Sequence, residues 1–394
     1  MKYFSICLLV MLLQLNAFAQ NDASKGFAFA EKQTGIMLKE IEQAKAAGKT
    51  GVSPRTLSPG GDLVLVPSKD WCSGFFPGEL WYLYNYTNDV KWLELAKAFT
   101  ANIEAEKTNG NTHDMGFKIY CSFGNGYRTT KEEHYKDVII QAAKTLSTRF
   151  NPVVGCIKSW DNREWKFPVI IDNMMNLELL FKATKFSGDS SFYKIAVSHA
   201  NTTMKNHFRA DYSSYHVVSY DPETGAVLKK QTHQGYADES AWARGQAWAL
   251  YGFTMCYRET KNKAYLQKAE KIAGFILNNH TLPADLIPYW DFNAPGIPNE
   301  PRDVSAATVV ASALFELSTY SSIGKLYRSK ADMIIKNLTE HYQAKPGEAK
   351  GFVLLHSTGS KPSNSEVDVP LSYADYYYLE ALLRQKHLNG KGRL

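Results

Sequence analysis

The chain has 394 residues, 44% of them hydrophobic and 21% charged, which is enough to bury a large core and excludes disorder as its default state. The formal net charge of +6 is not gathered into a Lys/Arg block or a basic helix, so neither nucleic acid nor a membrane surface is an expected partner. Aromatic side chains are abundant, with 23 Tyr, 20 Phe and 8 Trp, a supply that suits a carbohydrate cleft and a large helical core equally.

The first residues combine Lys2, an apolar run over 6–15 and the small-residue close Ala17-Phe18-Ala19. This predicts a signal peptide over residues 1–19, export to the periplasm, and a mature protein from residue 20 to residue 394. Cys7 lies inside the apolar run and not after it, so it does not read as a lipid-attachment site. No later run is long enough to insert in a membrane. The other four cysteines, Cys72, Cys121, Cys156 and Cys256, form no C-x-x-C and no zinc spacing, and free buried thiols are expected.

No linker divides the remainder, so a single domain is expected, and helical periodicity dominates it. An aromatic residue followed four positions later by Ala recurs at Trp92/Ala96, Phe192/Ala196, Tyr265/Ala269 and Tyr327/Ala331, with Tyr135/Ile139 as a weaker relative. Several of these amphipathic segments follow short polar turns such as Ser187-Gly188-Asp189 and Thr260-Lys261-Asn262. More apolar segments lie between them, over 78–86, 174–186, 242–257, 305–320 and 371–383. Alternation of charged outer and apolar inner helices predicts about six helix pairs, closed into an all-α (α/α)6 toroid; an open solenoid is the alternative. Residues 211–236 and 283–303 read as loops, with a hairpin around Asp221-Pro-Glu-Thr-Gly225.

The segment over 238–252 carries charge and aromatics where an aliphatic stripe would be ordinary. Ala241, Gly245 and Ala249 give its helix a smooth side, while Arg244 and Trp248 project together from a neighbouring one. A guanidinium fork matches a carboxylate and an indole covers the apolar face of a sugar ring; a buried Arg paired with a structural acid is the plainer reading. Asp172 follows an apolar run and opens an expected inner helix, a place where an N-cap with a depressed pKa is the simplest role. Asp114 holds the same relative place before another helical segment, so in a toroid the two acids converge, and one would keep a proton near neutral pH. His216, His233 and Gln234 lie in the polar stretch leading to the Arg244 helix. Their spacing matches no metal motif, and neither a metal nor a cofactor is expected.

Taken together, Trp71-Cys-Ser-Gly-Phe-Phe-Pro-Gly78, His113-Asp-Met-Gly-Phe117, Asp172-Asn-Met-Met-Asn176 and Trp242-Ala-Arg-Gly-Gln-Ala-Trp248 resemble the unsaturated glucuronyl hydrolases of glycoside hydrolase family 88, in order and in spacing. That family has the (α/α)6 fold and removes the 4,5-unsaturated uronic acid that polysaccharide lyases leave on glycosaminoglycan fragments. The resemblance implies that Asp172 is the general acid/base and Asp114 its neighbouring carboxylate. It also implies that His216, Gln234, Arg244 and Trp248 hold the uronate with His233 beside them, and that Trp71 and Trp160 are cleft aromatics. The partner it implies is an unsaturated, uronic-acid-containing oligosaccharide of chondroitin, hyaluronan or heparin type, with a pectin-derived rhamnogalacturonyl substrate as the alternative. Ser357 and Ser360 keep a serine spacing that some members use near a sulfate, but Lys361 comes one residue early.

Overall fold

The computed structural model describes residues 2–161 and 164–390, and side chains from residue 23 onward. The expected leader lies within a stretch whose side chains are outside the described residues. Helix α1 (Lys2–Ala46) is followed by five hairpins and a closing helix. The hairpins are α2 (Phe75–Thr87) with α3 (Val90–Ala101); a π-helical segment, Gly116–Gly124, continued by α4 (Asn125–Thr130), with α5 (Glu133–Ser147); α6 (Leu177–Ser187) with α7 (Ser190–Asn206); α8 (Ala243–Thr260) with α9 (Lys263–Asn278); and α10 (Val304–Leu317) with α11 (Gly324–His341). Helix α12 (Ser372–Leu388) then packs on α10, on α2 and on α1. Neighbouring inner helices touch all the way round, so the architecture is the expected (α/α)6 toroid.

The two rings differ in what surrounds them. In α10 every residue except Glu316 is buried, and α8 is buried without a break from Ala243 to Cys256, because an inner helix meets protein on all sides. An outer helix buries one stripe only: Trp92, Ala96 and Thr100 in α3, Phe192, Ala196, Ala200 and Thr203 in α7, and Tyr265, Ala269, Ile272 and Ile276 in α9. These stripes are the aromatic/Ala repeats of the sequence. Each inner helix that turns directly outward does so in two residues, a left-handed one and then an N-cap. Asn88-Asp89, Gly188-Asp189 and Lys261-Asn262 all have this form, with Asp89, Asp189 and Asn262 accepting from the backbone N–H of Lys91, Ser191 and Ala264.

Tight turns at one end of the ring push the long connections to the other, where the inner helices begin. Seven short strands lie in those connections. β1 (Ser53–Leu57) pairs with β2 (Leu63–Val66), β3 (Phe150–Asn151) with β4 (Cys156–Ile157), and β5 (Phe167–Ile170), β6 (Val217–Tyr220) and β7 (Val227–Gln231) form an antiparallel sheet in that order. The β6–β7 turn is the hairpin expected around Asp221–Gly225. Strand β5 corrects the sequence reading, which took its residues for an apolar lead-in to a helix. The four cysteines of the described side chains are free and buried. Among the described residues, no helix is long and apolar enough to cross a membrane.

Glycine at 116 decides how closely two of these connections approach. A Cβ there would lie 2.6 Å from Asn176 Cα and 3.0 Å from the Met175 carbonyl oxygen, both backbone atoms that cannot swing aside. The same contact is locked by Asn176 Oδ1, which accepts from the N–H of Gly116 at 2.7 Å and of Phe117 at 3.2 Å. Gly116→Ala is therefore expected to lower stability by about 1–3 kcal/mol in urea unfolding. Gly274→Ala, in α9 with nothing within 4 Å of the added methyl, is the control and is expected to raise it by about 0.5–1 kcal/mol.

Candidate active site

Where the inner helices begin, an open cavity of about 590 Å³ is lined by Trp71, Asp114, Phe117, Trp160, Asp172, Gln234, Arg244, Ser360, Glu366 and Tyr373, among others. The residues come from every side of the ring: Trp71 precedes α2, Asp114 precedes the π-helical segment, Arg244 is in the first turn of α8 and Tyr373 in that of α12. Helix N-termini carry partial positive charge, so this mouth favours an anion before any side chain is considered.

Asp172 sits in a 3-10 turn, Ile171–Asn176, between β5 and α6. Sheet register brings its partner: Ile170 pairs with Val217, and the Ile171 N–H donates to the His216 carbonyl at 3.0 Å. His216 Nδ1 accepts two backbone N–H groups, from His233 and Gln234, both at 3.1 Å. A nitrogen that accepts carries no proton, so the neutral ring bears its hydrogen on Nε2. Burial holds His216 well below the ordinary imidazole range, in agreement with that tautomer. Its Nε2 lies 3.6 Å from Asp172 Oδ2, too far for a hydrogen bond, and both atoms are sealed from solvent with no other partner. Asp172, 13% exposed at the side chain, thus reaches the cavity through Oδ1.

Burial is the main reason that the Asp172 carboxyl is pushed up to about 7; the charge of Asp114 adds to the rise, while Arg244, its own amide and Trp248 oppose it. This overturns the N-cap expectation, under which the pKa would fall. Arg244 is 1% exposed and already engaged: Nη1 donates to Asp303 Oδ2 at 2.8 Å and to the Thr358 carbonyl at 2.5 Å, and Nη2 to the Gly359 carbonyl at 2.5 Å. Its plane stands 4.6 Å from the Trp242 ring and 5.4 Å from that of Tyr373. The structural-acid reading of Arg244 therefore holds, and Nε–H and one N–H of Nη2 take no part in these bonds.

The other expected residues divide. Trp71 is half-buried on the cavity wall, 4.9 Å from Tyr373 and 5.3 Å from Phe117 between ring centres. Trp160 forms the opposite wall, with His233 at 5.3 Å and Trp165 at 5.4 Å. Gln234 Nε2 donates to the Gly359 carbonyl at 3.1 Å, tying the β7 turn to the loop over 357–366. Trp248 departs from expectation: it is fully buried behind the wall, between Phe117 and Tyr377, and so faces Asp172 and not the face of a sugar. Of Ser357, Ser360 and Lys361, only Ser360 lines the cavity; Ser357 is fully buried, paired through its backbone with Val369.

Several residues were missed. Arg55, in β1, donates through Nε and Nη2 to both oxygens of Glu366 at 2.6 and 2.8 Å and through Nη1 to Asp70 at 2.9 Å. Asp303, fully buried, caps α10 through the N–H groups of Ser305 and Ala306 while it holds Arg244. The Asp-x-Ser spacing before an apolar segment was a readable capping signal for Asp303; nothing local marked Arg55. Among the described residues no group of His, Cys, Asp or Glu is gathered closely enough to hold a metal ion.

The raised Asp172 carboxyl also has a stability signature. A folded-state pKa near 7 against an unfolded value near ~4 makes the folded state bind the extra proton, so stability is favoured at low pH and lost as pH rises between those values. Asp172→Asn removes that loss. Its stability relative to the natural protein is expected to improve by about 1–3 kcal/mol between pH 4 and pH 8 in denaturant titrations.

Comparison with known proteins agrees with this geometry. The family model described as Glycosyl Hydrolase Family 88 matches residues 61–378. An unsaturated glucuronyl hydrolase from Formosa agariphila is 53% identical over 340 residues, covering 85% of each chain. An unsaturated chondroitin disaccharide hydrolase from Streptococcus pneumoniae is 31% identical over 81% of this chain and 83% of its own. A crystal structure of an unsaturated glucuronyl hydrolase specific for heparin superposes with a TM-score of 0.87 at 48% identity, over 92% of this chain and 98% of that one. The chain belongs to glycoside hydrolase family 88.

Proposed function

We propose that this glycosidase removes a 4,5-unsaturated uronic acid from the non-reducing end of lyase-generated glycosaminoglycan fragments, with Asp172 as its acid/base. One observation carries the reading: a carboxyl at the cavity wall that burial pushes up to about 7, so that it is both protonated and ionised in useful amounts near neutral pH. An ordinary glycosidase acid protonates the leaving oxygen. Here the substrate has a vinyl ether, and protonation of C4 by Asp172 leaves positive charge shared with the ring oxygen. Water adds at C5 and gives its proton to the Asp172 carboxylate. The resulting hemiketal opens, and the linkage breaks without attack on C1 by the protein.

The remaining groups serve that step. The free N–H groups of Arg244 and the side chain of Gln234 hold the uronate, and Trp71 and Trp160 flank the rings. His216, locked with Nε2–H toward Asp172 at 3.6 Å, faces the carboxylate that forms when the proton leaves. Trp248 acts on Asp172 from behind. Sulfate recognition, if the substrate is sulfated, runs through Ser360 and not through Ser357 or Lys361. The leader over residues 1–19 supports export to the periplasm, with the remainder acting as one domain on soluble oligosaccharides.

Asp172→Asn is expected to reduce the loss of alkene absorbance at least 10³-fold while circular dichroism stays unchanged. Undiminished turnover would overturn the assignment. A panel of unsaturated chondroitin, hyaluronan, heparin and rhamnogalacturonan disaccharides, followed at the same ultraviolet band, places the substrate class; turnover of the pectin-derived member alone would reject the glycosaminoglycan reading.

A further inference from the structure

His113 is 2% exposed and directly precedes Asp114, yet the chemistry above makes no use of it. Its Nδ1 lies 2.6 Å from the Ser159 carbonyl oxygen, which can only accept, so Nδ1 carries a hydrogen. Its Nε2 lies 3.3 Å from Asp114 Oδ1, within ion-pair range, and is sealed from solvent with no hydrogen bond in place. Asp114 Oδ2 meanwhile accepts from the Thr112 hydroxyl at 3.1 Å. Without a proton on either, the Nε2 and Oδ1 lone pairs would face each other, and the sealed Nε2 has no water to turn to, so it would carry the penalty of an unsatisfied buried polar atom.

This is the reverse of His216. There two amides occupy Nδ1 and the hydrogen is fixed on Nε2; here a carbonyl occupies Nδ1 and leaves Nε2 to a carboxyl. Resting on the proposed function, we propose that His113 is a positioning residue which shares one proton with Asp114, so that the pair stays neutral and Asp172 faces no uncompensated anion. Whether the proton is on nitrogen or on oxygen, the pair's net charge is the same. The charge of Asp114 is one of the influences that raise Asp172, so its compensation bears directly on the acid.

The surroundings fit a shared proton better than a free imidazolium. Lys118, from the π-helical segment, faces His113 but is paired with Glu106 at 2.7 Å; Arg149, beyond α5, also faces it and is paired with Asp161 at 2.7 Å. His199 of α7 approaches from the third side, with Nδ1 accepting from the Ile157 N–H at 3.0 Å. Burial and the two cations hold His113 below the ordinary imidazole range, while Asp114 and the Ser159 carbonyl draw a proton to it. On the far side Asp172 is faced by Arg244 and His216.

The test compares His113→Gln and His113→Phe with the natural protein in the pH dependence of kcat. Loss of activity at the alkaline side reports Asp172 losing its proton in the bound complex. With no base to share the proton, the charge of Asp114 falls on Asp172, and the alkaline limb is expected to move up by about 0.5–1 pH unit, kcat to fall roughly tenfold and KM to change less than about threefold. Gln keeps a donor toward Asp114 but cannot share a proton, so a wild-type profile in the Gln variant would overturn proton sharing in favour of a merely structural hydrogen bond. Nitrogen-15 spectra of histidine-labelled natural protein give an independent reading that needs no substrate and no folded Phe variant. The resonance absent from His113→Gln is expected to show Nδ1 protonated and an Nε2 shift that responds to Asp114→Asn; an unprotonated Nδ1 or an unresponsive Nε2 would overturn the proposal. Absence of turnover by the natural protein on every unsaturated disaccharide would instead reject the proposed function.

Discussion

Keeping one carboxyl out of water, beside a buried guanidinium that would otherwise ionise it, is the constraint on which this site depends. A full unit charge at ~5 Å from a carboxyl, at an effective dielectric of ~20, would favour the carboxylate by about 3 kcal/mol, roughly two pKa units. Desolvation is nevertheless the largest influence on Asp172 and sends it upward. The reason lies one residue further on. Asp303 meets Arg244 at 2.8 Å with both side chains sealed, so part of the guanidinium's charge is met by its own counter-ion, and what remains is the largest influence opposing the rise of Asp172. Arg244 can then lend directed N–H groups to an anionic ligand without stripping the proton from the acid.

The ring supplies the rigidity this requires by giving its two ends different work. At the closed end, Arg258 of α8 pairs with Glu178 of α6 and with Glu316 of α10 at 2.9 Å, and Arg384 of α12 meets the same Glu316 at 2.7 Å. Buried ion pairs of this kind contribute little net stability, but they have one satisfied geometry and therefore fix neighbours in register. Four consecutive inner helices are stitched there, at the end where two-residue turns leave no length to vary. At the other end the long connections are free to differ in length and carry chemistry, while their anchor points, the 3-10 turn before α6 and the first turns of α8, α10 and α12, are already set.

Legibility in the sequence follows the same division. The outer helices were readable because a ring exposes one of their faces, and a one-sided residue such as Trp92 with Ala96 behind it has helical period. The capped turns were readable because an Asx side chain and a left-handed residue are local requirements. The acids were found but their states were not: Asp172 has the sequence of a cap, and only the packed walls around it decide that its pKa rises. Arg55 and Glu366 form a two-pronged pair across 311 residues, which no window on the sequence can reveal. Trp248 shares a helix face with Arg244, as spacing indicated, but the closed ring places Phe117 and Tyr377 over its ring, so only its neighbour reaches the cavity.

Strand β5 was the costliest omission, since it explains why two residues far apart in sequence meet. Val217 pairs with Ile170 on one side and with Gln231 on the other, so a single strand sets both the position of His216 beside Asp172 and the turn that delivers the His233 and Gln234 amides to its Nδ1. A one-residue slip in either pairing would turn alternate side chains to the opposite face and separate acid from histidine. The sheet is small, but β5 and β6 are buried, with Phe167, Val169, Val218 and Tyr220 packed on Val154 and Cys156 in a core cluster of their own, and that burial is what pins the register. In a largely helical protein, these three short strands therefore set where Asp172 and His216 meet, because a ladder with a two-residue side-chain period sets three connections against one another at the scale of a hydrogen bond.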